Sequence, residues 1–137
     1  MENVSQEISI CPASGWNDAA AAFLVKAMAS DPLAGVEALK ISVENGEAQL
    51  FHVLFNNYLV AAFVLRVDQK PHGAEGVIVA AGGRLNGVSL LRLTLADIER
   101  RFIGCTSIRV HTARRGIMRE FSRFGYAPRE IILSKVI

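Results

Sequence analysis

Cysteine is nearly absent. Cys11 and Cys105 are the only two and lie far apart in the chain. A single disulfide between them is one option, but two reduced, partly buried thiols are the expectation for a cytosolic chain. The three histidines, His52, His72 and His111, are scattered and give no zinc-ligand spacing, so no metal site is expected. Long apolar runs are missing as well. Residues 19–25 and 58–65, the longest, are too short to cross a bilayer. The opening MENVSQEISI has neither a basic start nor an apolar core, so no signal peptide is expected. The expectation is a soluble, cytoplasmic protein with no membrane partner. Charge of one sign is also scarce, with a net value of +2 that does not by itself suggest nucleic acid. Its distribution is uneven: Arg109, Arg114, Arg115, Arg119, Arg123 and Arg129 gather near the C-terminus, whereas Glu37, Glu44 and Glu47 lie in the first half.

What is present is the material of a core. Hydrophobic residues form 51% of the 137, against 20% charged, which suits one globular domain over residues 1–137. Residues 7–11 alternate as a short strand, stopped by Pro12 and the Ser14-Gly15 turn. Asn17 or Asp18 can cap a helix over AAAAFLVKAMAS, and Pro32 opens a shorter helix. Residues 47–55 and 58–67 read as strands joined at Asn56-Asn57, since asparagine tolerates the positive φ of a two-residue hairpin turn. Residues 77–81 (VIVAA) read as a buried strand. From Gly87 onward Val88, Leu91, Leu95, Ile98 and Phe102 mark one face of a helix, and Gly104 stops it. Residues 106–112 alternate as a strand, residues 114–125 form a helix with Ile117, Met118, Phe121 and Phe124 on one face, and EIILSKVI closes the chain as a strand. This order predicts an α/β layer fold whose sheet mixes antiparallel and parallel pairs.

The most informative stretch lies between the strand at residues 77–81 and the helix after it. Gly82-Gly83 follow the strand, then Arg84-Leu85-Asn86-Gly87-Val88-Ser89, an Arg-x-x-Gly-x-small pattern at a helix start. Backbone N–H groups in a first helical turn have no intrahelical partner, and the helix dipole adds positive character there. Gly87 lets a diphosphate approach the backbone without a Cβ in the way. No Gly-Lys-Ser/Thr follows and the three-glycine dinucleotide pattern is absent, which excludes both of those phosphate loops. A plain glycine turn is the competing reading of the same residues.

With its order of elements, this pattern resembles the GNAT superfamily of acyl-CoA-dependent N-acyltransferases. The resemblance spans nearly the whole chain and is most specific over residues 77–126. It implies a mixed central β-sheet flanked by helices on both faces. It further implies acetyl-CoA as acyl donor, with Leu85, Asn86, Gly87, Val88 and Ser89 offering amides to its pyrophosphate and Arg84 beside the phosphates. Val79, Ala80 and Ala81 would pair with the pantetheine arm. Ser89 stands where glycine or alanine is commoner. The segment GCTSIRVHTARRGIMREFSRFGY also loosely resembles small GNAT-like proteins carried by bacteriophages and prophages.

Transfer to an amine needs a deprotonated amine, a polarised thioester carbonyl and a protonated leaving thiolate. Many family members protonate the thiolate with a tyrosine four residues before a Gly-Phe/Tyr pair. Here that position is Phe121, and an asparagine often found seven residues upstream of it is Arg114. Glu75, His111 and Tyr126 are the substitutes proposed as catalytic, with His52 a further option. Each has a structural alternative: Glu75 as a solvated turn residue, His111 as a strand residue, Tyr126 as packing for the last helix. Trp16 is expected in the core or a pocket wall. Arg115, Arg119 and Arg123, four residues apart, form a basic stripe read as a solvated face or as an attraction for CoA phosphates, an acidic protein partner or nucleic acid. With few aromatics beside it, nucleic acid is disfavoured. Two functions therefore stand: transfer of an acyl group to an unidentified amine, or a catalytically degenerate binding protein on the same fold. The apolar strands also admit a homodimer.

Overall fold

The computed structural model describes residues 8–28, 35–85, 89–112, 115–131 and 133–137. Its element order is β1 (Ile8–Pro12), α1 (Asp18–Met28), α2 (Val36–Glu44), β2 (Gln49–Phe55), β3 (Tyr58–Lys70), β4 (Gly73–Gly83), α3 (Leu90–Arg100), β5 (Ser107–Val110) and α4 (Arg115–Ser122). The five strands form one sheet in the order β1-β2-β3-β4-β5. The first three pairings are antiparallel, and β4 with β5 is parallel. This is the mixed sheet expected from the sequence, with β4 and β5 as parallel neighbours joined through α3, although β5 ends at Val110 rather than at residue 112.

Local chemistry accounts for the joints. Asn56 and Asn57 take φ of 49° and 71°, the left-handed pair that a tight β2–β3 turn requires. The Asn17 side chain caps α1, its Oδ1 accepting from the Ala20 N–H at 2.8 Å. Ser89 caps α3 by accepting from the Arg92 N–H at 3.3 Å. Helix α3 therefore starts after Ser89 rather than at Gly87.

The sheet is covered on both faces, and β3 shows how. Ala61, Phe63 and Leu65 point to one side, where they meet Leu95, Ile98, Phe102 and Phe121 from α3, α4 and the turn between α3 and β5. Ala62 and Val64 point to the other, against Ala20, Leu24 and Leu39 of α1 and α2, with Trp16 half-buried beside them. The period-two alternation of an internal strand thus feeds two separate cores. Phe51 and Phe63 stack across β2 and β3 at 5.1 Å, and the Arg101 guanidinium sits 4.6 Å over the Phe51 ring. Cys11 on β1 and Cys105 beside β5 are unbridged. Their strands are the opposite edges of the sheet, about 19 Å apart at ordinary strand spacing, so no disulfide can join them within one chain.

Two expectations need correction. Strand β4 is longer than residues 77–81, running from Gly73 through Gly82 and Gly83 and paired with β3 along its length except at Val79, which the register skips. The glycines do not break it, because they are where other groups come closest. A Cβ on Gly76 would lie 2.5 Å from the Phe102 ring, and one on Gly83 only 2.2 Å from the Ala61 Cβ. The closing strand expected at EIILSKVI is also not formed. The described residues after Gly125 belong to no helix or strand.

Candidate active site

The site expected from the sequence lies where β4 and β5 part. Their pairing covers only Glu75 to Ile78 against Ser107 to Val110. Beyond it β4 continues to Gly83 with β3 on one side alone, so the other edge of Val79, Ala80 and Ala81 has no strand partner. Val79 and Ala80 are half-buried and Ala81 is exposed. An extended ligand with amide groups can complete such an edge as a missing strand would.

At the same end the chain leaves β4 and enters α3. The Arg84 N–H is spent on the Val60 carbonyl at 3.0 Å, continuing the β3–β4 ladder. It is therefore only through its exposed side chain that Arg84 can serve an anion. Leu85 is half-buried. Asn86, Gly87 and Val88, the centre of the expected phosphate loop, lie outside the described residues, as does Arg114. Ser89 and the first turn of α3 then present N–H groups and the positive end of the helix dipole six residues after β4 ends.

A carboxylate already stands there. The Ser89 hydroxyl donates to Glu120 Oε1 on α4 at 2.8 Å. Glu120 accepts from the hydroxyl of the capping serine rather than from a helix N–H, and its charge there opposes a diphosphate. Sequence reasoning missed this pair because 31 residues separate its members. Glu120→Gln should therefore tighten acetyl-CoA binding several-fold, most at low salt, while lowering stability by up to about 1 kcal/mol. Calorimetry at two salt concentrations with a thermal melt checks both halves; weaker binding by Glu120→Gln would contradict the assignment.

The three proposed catalytic residues lie in different places. His111 directly follows Val110, which is level with Ile78, so it stands opposite Val79 where the strands part, and it is exposed. Glu75 is at the closed end of the pair, about 13 Å along β4 from Val79. Its Oε2 accepts from Ser107 Oγ at 3.2 Å and its Oε1 lies 3.3 Å from Arg109 Nη1. Arg109 also reaches Asp68 at 3.1 Å, and Asp68 holds Arg66 at 2.7 Å. The hydrogen bond from Arg66 holds the Asp68 carboxyl below the ordinary carboxylate range, with the charges of Arg66 and Arg109 adding to it and burial opposing. Glu75 is thus a member of a charge network that ties β3, β4 and β5 together.

Tyr126 donates its hydroxyl to Glu99 Oε2 at 2.7 Å, and its ring meets Phe121 edge-on at 4.9 Å. Burial pushes its phenol far above the ordinary value, and the bond to Glu99 and that carboxylate's charge add to the shift. Glu99 is ten residues along α3 from Ser89, about 15 Å from the helix start. Phe121 is buried in the α3–α4 core. His52 lies on the α1 face of the sheet with its Nε2 2.7 Å from Asn17 Nδ2. Because Asn17 Oδ1 is engaged by Ala20, its amide NH₂ must donate, which leaves the proton of a neutral His52 ring on Nδ1.

Two hollows of about 610 and 600 Å³ lie elsewhere. One is between α2, Gln49 to Phe51 and Leu65 to Val67, and the other borders β5. Neither contains Val79, Ala80 or Ala81. Among the described residues no group of three histidine, cysteine or carboxylate side chains can hold a metal ion, and no helix is long and apolar enough to cross a membrane.

No family model matches the sequence, and no curated protein matches it. Solved structures do. An acetyltransferase from Trypanosoma brucei superposes with a TM-score of 0.67 at 11% identity, over 96% of this chain and 100% of that one. A GNAT family acetyltransferase from Elizabethkingia anophelis, with acetyl-CoA bound, gives 0.65 at 15% identity, over 90% of this chain and 78% of that one. A transcriptional regulator from Bacillus halodurans gives 0.70 at 14% identity, over 96% and 100%. At these identities the likeness is one of fold: the mixed five-stranded sheet flanked by helices on both faces is the GNAT fold.

Proposed function

We propose that this chain is an acyl-CoA-dependent N-acyltransferase that moves an acyl group, acetyl in the first instance, from CoA to an amine. The observation that carries the reading is the parting of β4 from β5 after Ile78, with the Ser89-capped start of α3 following β4 in the chain. The free edge of Val79, Ala80 and Ala81 would take the pantetheine amides. Arg84, the loop from Leu85 through Asn86, Gly87 and Val88, and Ser89 would take the diphosphate. The GNAT-family neighbour that carries acetyl-CoA supports a donor of this class. A cytoplasmic location and the narrower likeness to phage-borne proteins belong to the same reading.

In this reading the acceptor nitrogen attacks the thioester carbonyl directly, the tetrahedral adduct expels CoA as its thiolate, and the nitrogen loses a proton. On the same reading His111 receives that proton, directly or through water. Phe121 has no proton for the thiolate, and Tyr126 holds its own on Glu99, so the thiolate takes a proton from solvent. His111→Ala should lower kcat by about 100-fold, within the span of general-base losses, and leave the dissociation constant of acetyl-CoA unchanged. A thiol-release assay over a panel of amines, with calorimetry beside it, tests this. Unchanged turnover by His111→Ala would remove it from the mechanism.

A second reading is favoured by the same three contacts. Phe121 is in the core, Tyr126 is bound to Glu99 and Glu75 is bound to Arg109, so the fold can serve as a CoA-binding protein without transfer. Binding of acetyl-CoA with no thiol release on any amine would select it.

A further inference from the structure

Strand β1 stops at Pro12, and after the Ala13 N–H bond to the Leu50 carbonyl at 2.9 Å the chain bends at Ser14 and Gly15 toward α1. Gln49, at the start of β2, therefore pairs with β3 alone. The gap opens into the hollow of about 610 Å³, bordered also by the end of α2 and by Arg101 and Phe102 after α3. That volume is within the range of small-molecule sites. On β3 the hollow spans Leu65 to Val67, level with Gly76 to Ile78, where β4 and β5 still pair. It is thus set apart from the opening beyond Val79.

Arg101 is the group on this wall that the fold leaves unspent. Its guanidinium lies 4.6 Å over the Phe51 ring, and its side chain is 30% exposed. A ring attracts a cation through its quadrupole and uses none of the N–H donors. The nearer Asp97 oxygen is 3.9 Å away, beyond hydrogen-bond length, and the other accepts from Arg100 at 3.2 Å. Among the described residues no hydrogen bond reaches the Arg101 guanidinium. Arg66, also on the wall, is by contrast engaged: its Nε and Nη2 donate to Asp68 at 2.7 and 3.1 Å. Glu47 borders the hollow too and acts on Arg66 by charge. The surface beside Arg101 is apolar. Phe102 and Leu65 share the Phe51 core, and Val67, two residues on from Leu65, lies on the same face of the sheet with its side chain exposed.

A planar fork with unspent donors beside apolar walls suits a carboxylate carried on an apolar body, because a guanidinium can take both oxygens at once. A phosphate dianion would find one free fork and the opposing charge of Glu47. We propose that this hollow is a second binding site, taking a small organic carboxylate with its charged group on Arg101 and its apolar body against Phe102, Leu65 and Val67. The site does not depend on acyl transfer and would exist equally in a protein that only binds CoA.

Phenylacetate and its uncharged amide, phenylacetamide, share a ring and differ at the one group that Arg101 would hold. Calorimetry on the full chain should find the acid at least ~10-fold tighter than the amide. Arg101→Met keeps an unbranched stem against Phe51 and should bring the acid down to the level of the amide. Gln49→Glu, at an exposed residue of the rim, should weaken the acid and leave the amide unchanged, with circular dichroism as the control for folding in both variants. Saturating acetyl-CoA should not displace the acid. No binding of phenylacetate, equal affinity for acid and amide, full affinity for the acid in either folded variant, or displacement by acetyl-CoA would overturn the proposal.

Discussion

Gly87→Glu is expected to abolish measurable acetyl-CoA binding while leaving the circular-dichroism spectrum and the melting temperature near those of the wild type. The substitution falls between the end of the β4 ladder, fixed by the Arg84 N–H bond to Val60, and the Ser89 cap of α3. Neither anchor involves Gly87. A carboxylate introduced two residues before that cap adds bulk and a second negative charge, beside Glu120, where a diphosphate needs N–H groups and positive potential. The expected loss is at least ~100-fold in affinity, about 3 kcal/mol, on the scale of charge-assisted hydrogen bonds. Arg84→Ala should cost less, about tenfold, since the N–H groups at the start of α3 remain. Calorimetry measures both. Equal affinity in the wild type and a folded Gly87→Glu protein would make the loop only a turn.

Gly83→Ala is expected to be strongly destabilising. The new Cβ would lie 2.2 Å from the Ala61 Cβ, 2.6 Å from its Cα and 2.6 Å from the Val60 carbonyl oxygen. Two of the three are backbone atoms in the neighbouring strand and cannot swing aside. Strand β4 must therefore move off β3 at its end, breaking the Arg84–Val60 bond and shifting the approach to α3. Overpacking of this kind costs about 1–3 kcal/mol, occasionally more, or a fall in melting temperature of very roughly 5–10 °C for a chain of this size. Gly116→Ala is the control, because its Cβ would meet nothing within 4 Å. It sits in the first turn of α4 and should be neutral or stabilising by less than ~1 kcal/mol. If Gly83→Ala melts with the wild type, the close approach of β3 and β4 is wrong.

What the sequence revealed, and what it hid, divides by the range of the forces involved. The alternation of Ala61 to Leu65, the asparagine pair at the hairpin and the three-four spacing of Leu91, Leu95 and Ile98 are local patterns with one physical solution each. The β4 glycines misled for the same reason. Taken alone, Gly82-Gly83 is a break, and only the nearness of Ala61 from 22 residues away turns Gly83 into a requirement of the sheet. The closing strand was misread in the opposite sense. EIILSKVI has strand chemistry, but a strand is made by its partner, and none pairs with it among the described residues. In the candidate site, the open β4 edge at Val79 to Ala81 is what the family resemblance implies, whereas His111 is one of several substitutes named from residue type alone. The contacts that occupy Glu75, Tyr126 and Ser89 link residues 27 to 34 positions apart and have no signature along the chain.

The central claim is that the opening between β4 and β5 takes an acyl-CoA along the free edge of Val79, Ala80 and Ala81 and against the start of α3. Amide hydrogen exchange with and without acetyl-CoA tests it most directly. Peptides covering Val79 to Gly83 and Ser89 to Arg92 should exchange more slowly with the donor present. Those covering Gln49 to Phe51 and Leu65 to Val67, at the hollow by α2, should not change. Protection confined to the α2 hollow, or unchanged exchange at saturating acetyl-CoA, would contradict it.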